Sequence, residues 1–174
     1  MKDRIFVIDG SSYLYRAYHA MPPLSTSSGQ PTGAVKGVTN MLMNLKKDSE
    51  GSSIIVVFDA KGKTFRSDIY SEYKANRPPM PDELRDQLVP VKSICRAIGF
   101  PLIEIEGVEA DDVIATIANM AKDANYKCVI SSLDKDLMQL VEDPHTTMMD
   151  TMKHKIFNEE GVFEKFGVKP NQIR

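Results

Sequence analysis

Short apolar segments that alternate with helical patterns are the feature that most constrains the fold of this chain. RIFVID (4–9) and SIIVVFD (53–59) are rich in Ile, Val and Phe, and each ends in Asp. FPLIEIEG (100–107) and KCVISS (127–132) have a similar apolar character. Runs of this length and composition are typical of buried β-strands. We therefore expect four strands in these positions.

Amphipathic helical patterns lie between the predicted strands. Residues 33–47 repeat apolar side chains at three- and four-residue intervals, which gives one apolar stripe along a helix. A second pattern of this kind starts at residue 82 and includes Pro90, where we expect a kink. A third pattern starts at residue 113, directly after a cluster of acids. Strands that alternate with helices predict an α/β fold with a mostly parallel sheet and helices on both faces.

Seven acids fall at the carboxyl ends of the predicted strands, where open parallel sheets form their ligand sites. Four separate segments supply them, and carboxylate oxygens are the donors that Mg²⁺ or Mn²⁺ prefers. Because Mg²⁺ seldom takes more than a few protein carboxylates, seven acids predict more than one ion, and two ions are the arrangement that phosphoryl hydrolases use. The predicted metal ligands are Asp9, Asp59, Glu109, Asp111, Asp112, Asp134 and Asp136.

Each of these acids also has an ordinary structural explanation. Asp111 and Asp112 can stabilise a helix N-terminus through the helix macrodipole. Asp134 can cap the helical segment that follows it, and the acids at the ends of the first two strands can begin turns. The full set is harder to explain in this way, because Lys135 is the one basic residue within the same short segments.

Charge is distributed unevenly along the chain, although its net value is only −2. Residues 61–77 hold five basic and two acidic side chains, whereas residues 104–112 hold five acids and no base. This pattern fits a bound polyanion beside a bound metal, and two solvated faces are the alternative. Aromatic residues interleave with the cations of residues 61–77, and this combination favours binding of single-stranded nucleic acid or of nucleic-acid ends. Arg16, about two helical turns past Asp9, is either near the acidic edge or an ordinary exposed arginine.

Composition argues against a membrane protein, a disulfide-rich protein and a zinc protein. No apolar run approaches the length of a membrane-spanning helix. The two cysteines lie within apolar segments and indicate neither a disulfide framework nor a zinc site, so a reducing cytoplasm is the expected setting. The three histidines, His19, His145 and His154, fit no metal-ligand spacing and are interpreted as surface or packing residues.

Four motifs carry a resemblance to a known family: FVIDGSSYLYRAYHA, VVFDAKGKTFRSDIYSEYKANRPPMPDEL, GVEADDVIAT and SSLDKDLMQLV. In their order and spacing the chain resembles the 5′-nuclease domain of bacterial DNA polymerase I, within the flap endonuclease superfamily. The resemblance covers nearly all 174 residues. It implies a PIN-like fold with an arch segment over the acidic edge. It also implies a metal-dependent 5′-3′ exonuclease and 5′-flap endonuclease that removes DNA flaps and RNA primers during replication and excision repair.

The same resemblance implies roles for individual residues. The seven acids form the pocket for two Mg²⁺ or Mn²⁺ ions, and Lys74, Arg77 and Arg16 are the expected catalytic residues. Lys74 and Arg77 resemble the pair that approaches the scissile phosphate at the base of the arch. The expected nucleic-acid-binding residues are Phe65, Arg66, Tyr73, Lys74 and Arg77.

The family pattern continues beyond VKPNQIR with a Gly-Asp…Ser-Asp-Asn motif and a helix-hairpin-helix segment. Residues 1–174 are therefore expected to be an N-terminal nuclease domain that is truncated and impaired in cleavage. We expect this domain to be monomeric and to belong to a polypeptide that can include a polymerase. A PIN-domain ribonuclease and a DNA-end-binding module without efficient catalysis stay open as alternatives. A phosphatase of the haloacid dehalogenase type is excluded, because Ser11 stands where that class needs its second Asp.

Overall fold

One six-stranded sheet organises the residues that this computed structural model describes, which are 3–70, 72–74, 76, 78–150 and 155–173. The spatial order of the strands is β3-β2-β1-β4-β5-β6. Neighbouring strands pair in parallel from β3 to β5, and β6 pairs antiparallel with β5. The strands are β1 Arg4–Asp9, β2 Ser53–Val57, β3 Leu102–Ile103, β4 Lys127–Ser131, β5 Thr146–Met149 and β6 Ile156–Phe157.

Helices connect the strands and cover the sheet. Their bounds are α1 Gly10–Ala20, α2 Gly33–Asp48, α3 Phe65–Ile69, α4 Asp82–Ile98, α5 Ala110–Asp123 and α6 Glu159–Phe166. In the described part of the chain, short 3₁₀ helices span Lys135–Leu140, between β4 and β5, and Pro170–Gln172, after α6. Within the described ranges, no helix combines the length and the apolar character that a membrane span needs.

Successive side chains of each strand point to opposite faces of the sheet, so the central strands contribute to two separate cores. In β1, Phe6 and Ile8 belong to the core under α1, α2 and α4, whereas Val7 belongs to the core under α5. Val129 and Ile130 of β4 divide between the two cores in the same way. Burial on both faces explains why these strands are continuous apolar runs without polar alternation.

The predicted α/β fold, with a mostly parallel sheet and helices on both faces, is confirmed. The first strand matches its prediction at both ends, and β2 and β4 lie within their predicted segments. The third strand is much shorter than predicted, because only Leu102 and Ile103 pair with β2. The helix around Pro90 runs without interruption from Asp82 to Ile98. The strands β5 and β6 were not predicted.

Candidate functional site

A cavity of about 480 Å³ opens at the carboxyl edge of the sheet. Its walls come from the ends of β1 and β2, the start of α5 and the loop after β4, which the parallel topology brings together. Five of the seven predicted metal ligands line it, namely Asp9, Asp59, Glu109, Asp111 and Asp134. The predicted convergence of acids from four segments therefore occurs for these five.

Asp9 is the most deeply placed acid of the cavity. It ends β1, caps helix α1 and is only 5% exposed. Its Oδ1 accepts a hydrogen bond from the Ser12 backbone N–H at 2.9 Å, and its Oδ2 accepts one from the Ser132 hydroxyl at 2.7 Å. Burial raises the pKa of Asp9 above its usual value, against the lowering effect of these two donors.

A close contact between α1 and the end of β2 fixes the neighbouring acid, Asp59. Gly10 follows Asp9, and a Cβ added to it would lie 2.5 Å from Cε2 of Phe58, the residue before Asp59. The absence of a side chain at Gly10 therefore lets the two strand ends approach. The Asp59 carboxylate accepts hydrogen bonds from the Ser11 hydroxyl at 2.8 Å and from the Ala110 N–H at 2.9 Å.

Asp111 lies in the first turn of α5 and faces the other acids. Burial, followed by repulsion from Asp134, Asp9 and Asp59, raises its pKa from 3.8 to about 6. Lys74 acts in the opposite direction but does not cancel this effect. Burial and the neighbouring carboxylates together therefore disfavour the charged form of Asp111.

Glu109 connects the cavity to the basic segment of residues 61–77. It is 7% exposed and caps the N-terminus of α5 without a side-chain capping bond. Lys74 Nζ lies 2.8 Å from its Oε1, and the Tyr73 hydroxyl donates to its Oε2 at 3.1 Å. Lys74 adopts the left-handed backbone region at φ 57°, which is uncommon for a residue other than glycine. The basic and acidic segments thus meet in an ion pair at Lys74.

Asp112 does not line the cavity. Arg66 on α3 holds its carboxylate in a bidentate pair, with Nη2 donating to Oδ1 at 2.7 Å and Nη1 to Oδ2. The hydrogen bonds from Arg66 lower the pKa of Asp112, and this pair in turn raises the pKa of Arg66. Asp112 thus forms an ion pair with a residue 46 positions away, and its ligand role stays a prediction.

Asp136 also lies apart from the lining of the cavity. Its backbone N–H donates to Oδ1 of Asp134 at 2.9 Å, so Asp134 caps the 3₁₀ helix Lys135–Leu140. The predicted capping role of Asp134 is confirmed, and it coexists with a place on the cavity wall. The ligand role of Asp136 stays a prediction.

Several predicted substrate-handling residues surround the acids. Arg16 lines the cavity, and its Nε is buried without a hydrogen-bond partner among the described residues. Phe65 is 45% exposed and stacks under the Arg66 guanidinium, with 4.7 Å from Cζ to the ring centroid. His19, interpreted from sequence as a surface or packing residue, is exposed on the cavity wall. Arg77 and His154 lie outside the described residues, so their roles stay predictions.

Three serines around the cavity were not predicted as functional residues. The Ser11 hydroxyl donates a hydrogen bond to Asp59, and the Ser132 hydroxyl donates one to Asp9. The Ser12 hydroxyl accepts one from the backbone N–H of Leu133, and each of the three bonds joins two different strand ends. The signal that identified the acids also applies to them, because all three follow strands at the same sheet edge. Serine is so common in turns that its position alone could not distinguish them.

The ligand atoms that the cavity offers have the type and charge that a hard divalent cation prefers. Five carboxylates line the cavity, and the pKa of one of them, Asp111, is raised. Among the described residues, however, no three His, Cys, Asp or Glu side chains are grouped closely enough to hold one ion as they stand. Two of these acids already have protein partners. Lys74 occupies Oε1 of Glu109, and protein donors occupy both oxygens of Asp59. An ion would therefore replace some of these donors.

Comparison with known sequences supports the resemblance carried by the four motifs. Residues 4–167 match the model of the 5′-3′ exonuclease N-terminal, resolvase-like domain family. The chain is 56% identical to DNA polymerase I of Pseudomonas aeruginosa over 169 residues, which are 97% of this chain and 18% of that protein. It is 44% identical to the 5′-3′ exonuclease of Aquifex aeolicus, over 97% of this chain and 58% of that protein. The chain thus spans less than two thirds of the length of each of these two relatives.

Solved structures show the same fold at lower identity. The T5 D15 protein co-crystallised with metal ions aligns at a TM-score of 0.73 and 23% identity, over 98% of this chain and 63% of that chain. The bacteriophage T5 D15 flap endonuclease in a pseudo-enzyme-product complex with DNA and metal ions aligns at a TM-score of 0.75 and 22% identity. That alignment covers 95% of this chain and 61% of the other.

Proposed function

The chain belongs to the 5′-3′ exonuclease N-terminal, resolvase-like domain family, and from this premise we propose that it hydrolyses phosphodiester bonds in DNA and RNA primers with divalent metal. The proposed activities are 5′-3′ exonuclease and 5′-flap endonuclease, in replication and excision repair in the cytoplasm. The observation that carries the proposal is the convergence of five carboxylates on one cavity beside Arg16 and Lys74.

The metal in this proposal is Mg²⁺ or Mn²⁺, with two ions in the complete nuclease. When bound, such ions supply Lewis acidity and an activated water for attack on a phosphodiester. The residues that would hold them are the five acids of the cavity, of which Asp9 and Asp111 have raised pKa values. The T5 D15 protein, which has the same fold, was co-crystallised with metal ions, and this supports a metal in the cavity.

The chain's own residues contribute binding and orientation. Serine and backbone donors fix Asp9 and Asp59, so the negative charge of the cavity is held in place before a ligand arrives. Arg16 and Lys74 bring positive charge to the same wall, where it can stabilise a phosphate as charge develops on it. Arg66, Tyr73 and Phe65 lie beside the acids and offer cationic and aromatic contacts to a single strand.

Two further parts of the proposal concern the surroundings of the domain. We propose that residues 1–174 act as the N-terminal nuclease domain of a longer, monomeric polypeptide that can carry a polymerase. The match to 18% of a DNA polymerase I and 58% of a 5′-3′ exonuclease supports this arrangement. A DNA-end-binding module that cleaves poorly is the second candidate, and the protein donors that already occupy oxygens of Asp59 and Glu109 favour it.

A cleavage assay separates these candidates. The 174-residue chain is incubated with a 5′-flap duplex labelled at the flap end, in Mg²⁺, in Mn²⁺ and in EDTA. We expect cleavage near the junction in either metal, none in EDTA, and none by Asp9→Asn in any condition. Metal-independent cleavage would contradict the proposal. Binding of the flap without cleavage in any metal would support the end-binding module instead.

A further inference from the structure

Ser132 stands between two acids of the cavity without being an acid itself. It is 2% exposed and follows the last residue of β4. Its hydroxyl donates to Oδ2 of Asp9 at 2.7 Å and accepts the backbone N–H of Asp134 at 3.0 Å. One buried hydroxyl thus connects the end of β1 to the loop after β4.

The register of the sheet explains why Ser132 reaches Asp9. Ile8 of β1 pairs with Ser131 of β4, so the next residue on each strand, Asp9 and Ser132, continue side by side. Side chains alternate between the faces, which turns Ser131 toward Tyr13 on α1 and Ser132 toward the acid. Both adjacent serines are buried, but their hydroxyl groups have different hydrogen-bond partners.

A serine hydroxyl has a single proton to donate, and here that proton is committed to Asp9. Together with the Ser12 N–H on Oδ1, it fixes the rotamer of a carboxylate that burial would otherwise destabilise as an anion. Groups that orient a ligating carboxylate in this way commonly change metal affinity by about 10- to 100-fold when they are removed.

We propose that Ser132 is a positioning residue, which holds the Asp9 carboxylate in a fixed orientation and couples it to the Asp134 segment for divalent-metal binding. This inference rests on the proposed function. The role differs from that of a ligand, because the hydroxyl acts by donating its one proton to an acid and accepting one backbone N–H. It also differs from general core packing, since its hydrogen-bond partner is a cavity acid.

Binding of Mn²⁺ by the 174-residue chain, followed by electron paramagnetic resonance, tests the inference. We expect Ser132→Ala to weaken Mn²⁺ binding by about tenfold or more. The matched control is Ser131→Ala, which removes an equally buried hydroxyl and its 2.8 Å hydrogen bond to Tyr13. We expect it to lower the melting temperature while Mn²⁺ affinity stays within about twofold of the wild type. Ser132→Thr, which keeps the hydroxyl, should recover affinity relative to Ser132→Ala.

The outcomes separate this inference from the proposed function. Equal losses of Mn²⁺ affinity in the Ser131 and Ser132 variants would show a general packing effect and overturn the positioning role. Wild-type affinity in Ser132→Ala would overturn it as well. If the wild-type chain itself bound no Mn²⁺, the proposed function would be overturned, and this inference with it.

Discussion

At the scale of single residues, two adjacent acids of α5 experience opposite electrostatic environments. Burial and then neighbouring carboxylates raise the pKa of Asp111 to about 6, whereas Arg66 holds the pKa of Asp112 below its usual value. A raised carboxyl pKa means that the folded protein binds the proton more tightly than the unfolded chain does. Its ionisation therefore disfavours folding above pH 6, has progressively less effect between pH 6 and 4, and none below the unfolded value of 3.8.

We expect Asp111→Asn to raise the melting temperature of the metal-free protein at pH 7.5, because the variant removes a carboxylate whose charged form is disfavoured by burial and by the neighbouring acids. A domain of this size shifts by about 2–4 °C per kcal/mol. The increase should disappear near pH 3.8. Asp112→Asn is the matched control, and it should lower the melting temperature at pH 7.5 by breaking the Arg66 pair. Thermal unfolding in EDTA followed by circular dichroism measures both, and a lower melting temperature for Asp111→Asn at pH 7.5 would contradict this account.

Lys74 lines the cavity and contacts Oε1 of Glu109, whereas Arg66 lies 3.5 Å from Oε2 of the same carboxylate. Because the Lys74 ammonium and a metal ion compete for the same carboxylate, we expect Lys74→Met to tighten Mn²⁺ binding. A partly exposed ion pair contributes up to about 1 kcal/mol, so the gain should be about two- to fivefold. The same variant should slow flap cleavage, since it removes positive charge near the phosphate. Calorimetric titration and cleavage rates measure the two effects, and weaker Mn²⁺ binding would show that Lys74 does not compete with metal.

At the scale of secondary-structure elements, the packing of α1 against the end of β2 sets the spacing between two acids. A side chain at Gly10 would overlap the Phe58 ring, and both residues adjoin an acid of the cavity. We expect Gly10→Ala to destabilise the fold by about 1–3 kcal/mol, as overpacking of a core does. In the double variant with Phe58→Leu, the loss should be smaller than the sum of the single losses. Urea unfolding of the three variants measures this coupling, and additive losses would contradict the close contact.

The sequence predicted the elements that carry strong periodic patterns. The strands β1 and β4 and the helices α2, α4 and α5 were all recognisable from apolar runs or stripes. The strands β5 and β6 were missed because TTMM and IF are too short to show a period, and their formation depends on pairing with β4 and β5. Pairing between distant segments is not visible in a local pattern.

The same reasoning explains which parts of the site were predicted. Five acids were located by one rule, that ligand sites lie at the carboxyl ends of parallel strands. The pair between Arg66 and Asp112 was not predicted, because its partners are 46 residues apart and only the fold brings them together. The Ser132 contact required the register of β1 against β4, which the sequence does not specify.

At the scale of the whole molecule, the faces of the sheet contribute the stability of the fold and one edge of the sheet holds the site residues. Two apolar cores on its faces hold the strands, while the polar and charged residues of the site gather at one edge. This arrangement allows the edge to carry several carboxylates that repel one another, because burial elsewhere offsets their unfavourable interaction. The central claim is that these carboxylates form a divalent-metal site.

A crystal of the protein soaked in Mn²⁺ and measured at the manganese absorption edge tests this claim most directly. We expect an anomalous peak in the cavity, at about 2.0–2.3 Å from carboxylate oxygens that include Asp9 and Asp111, with the Lys74 ammonium displaced from Glu109. Asp112 should keep its pair with Arg66 in the same crystal. An empty cavity at saturating Mn²⁺, or a peak bound by Asp112 or Asp136 without Asp9, would contradict the account.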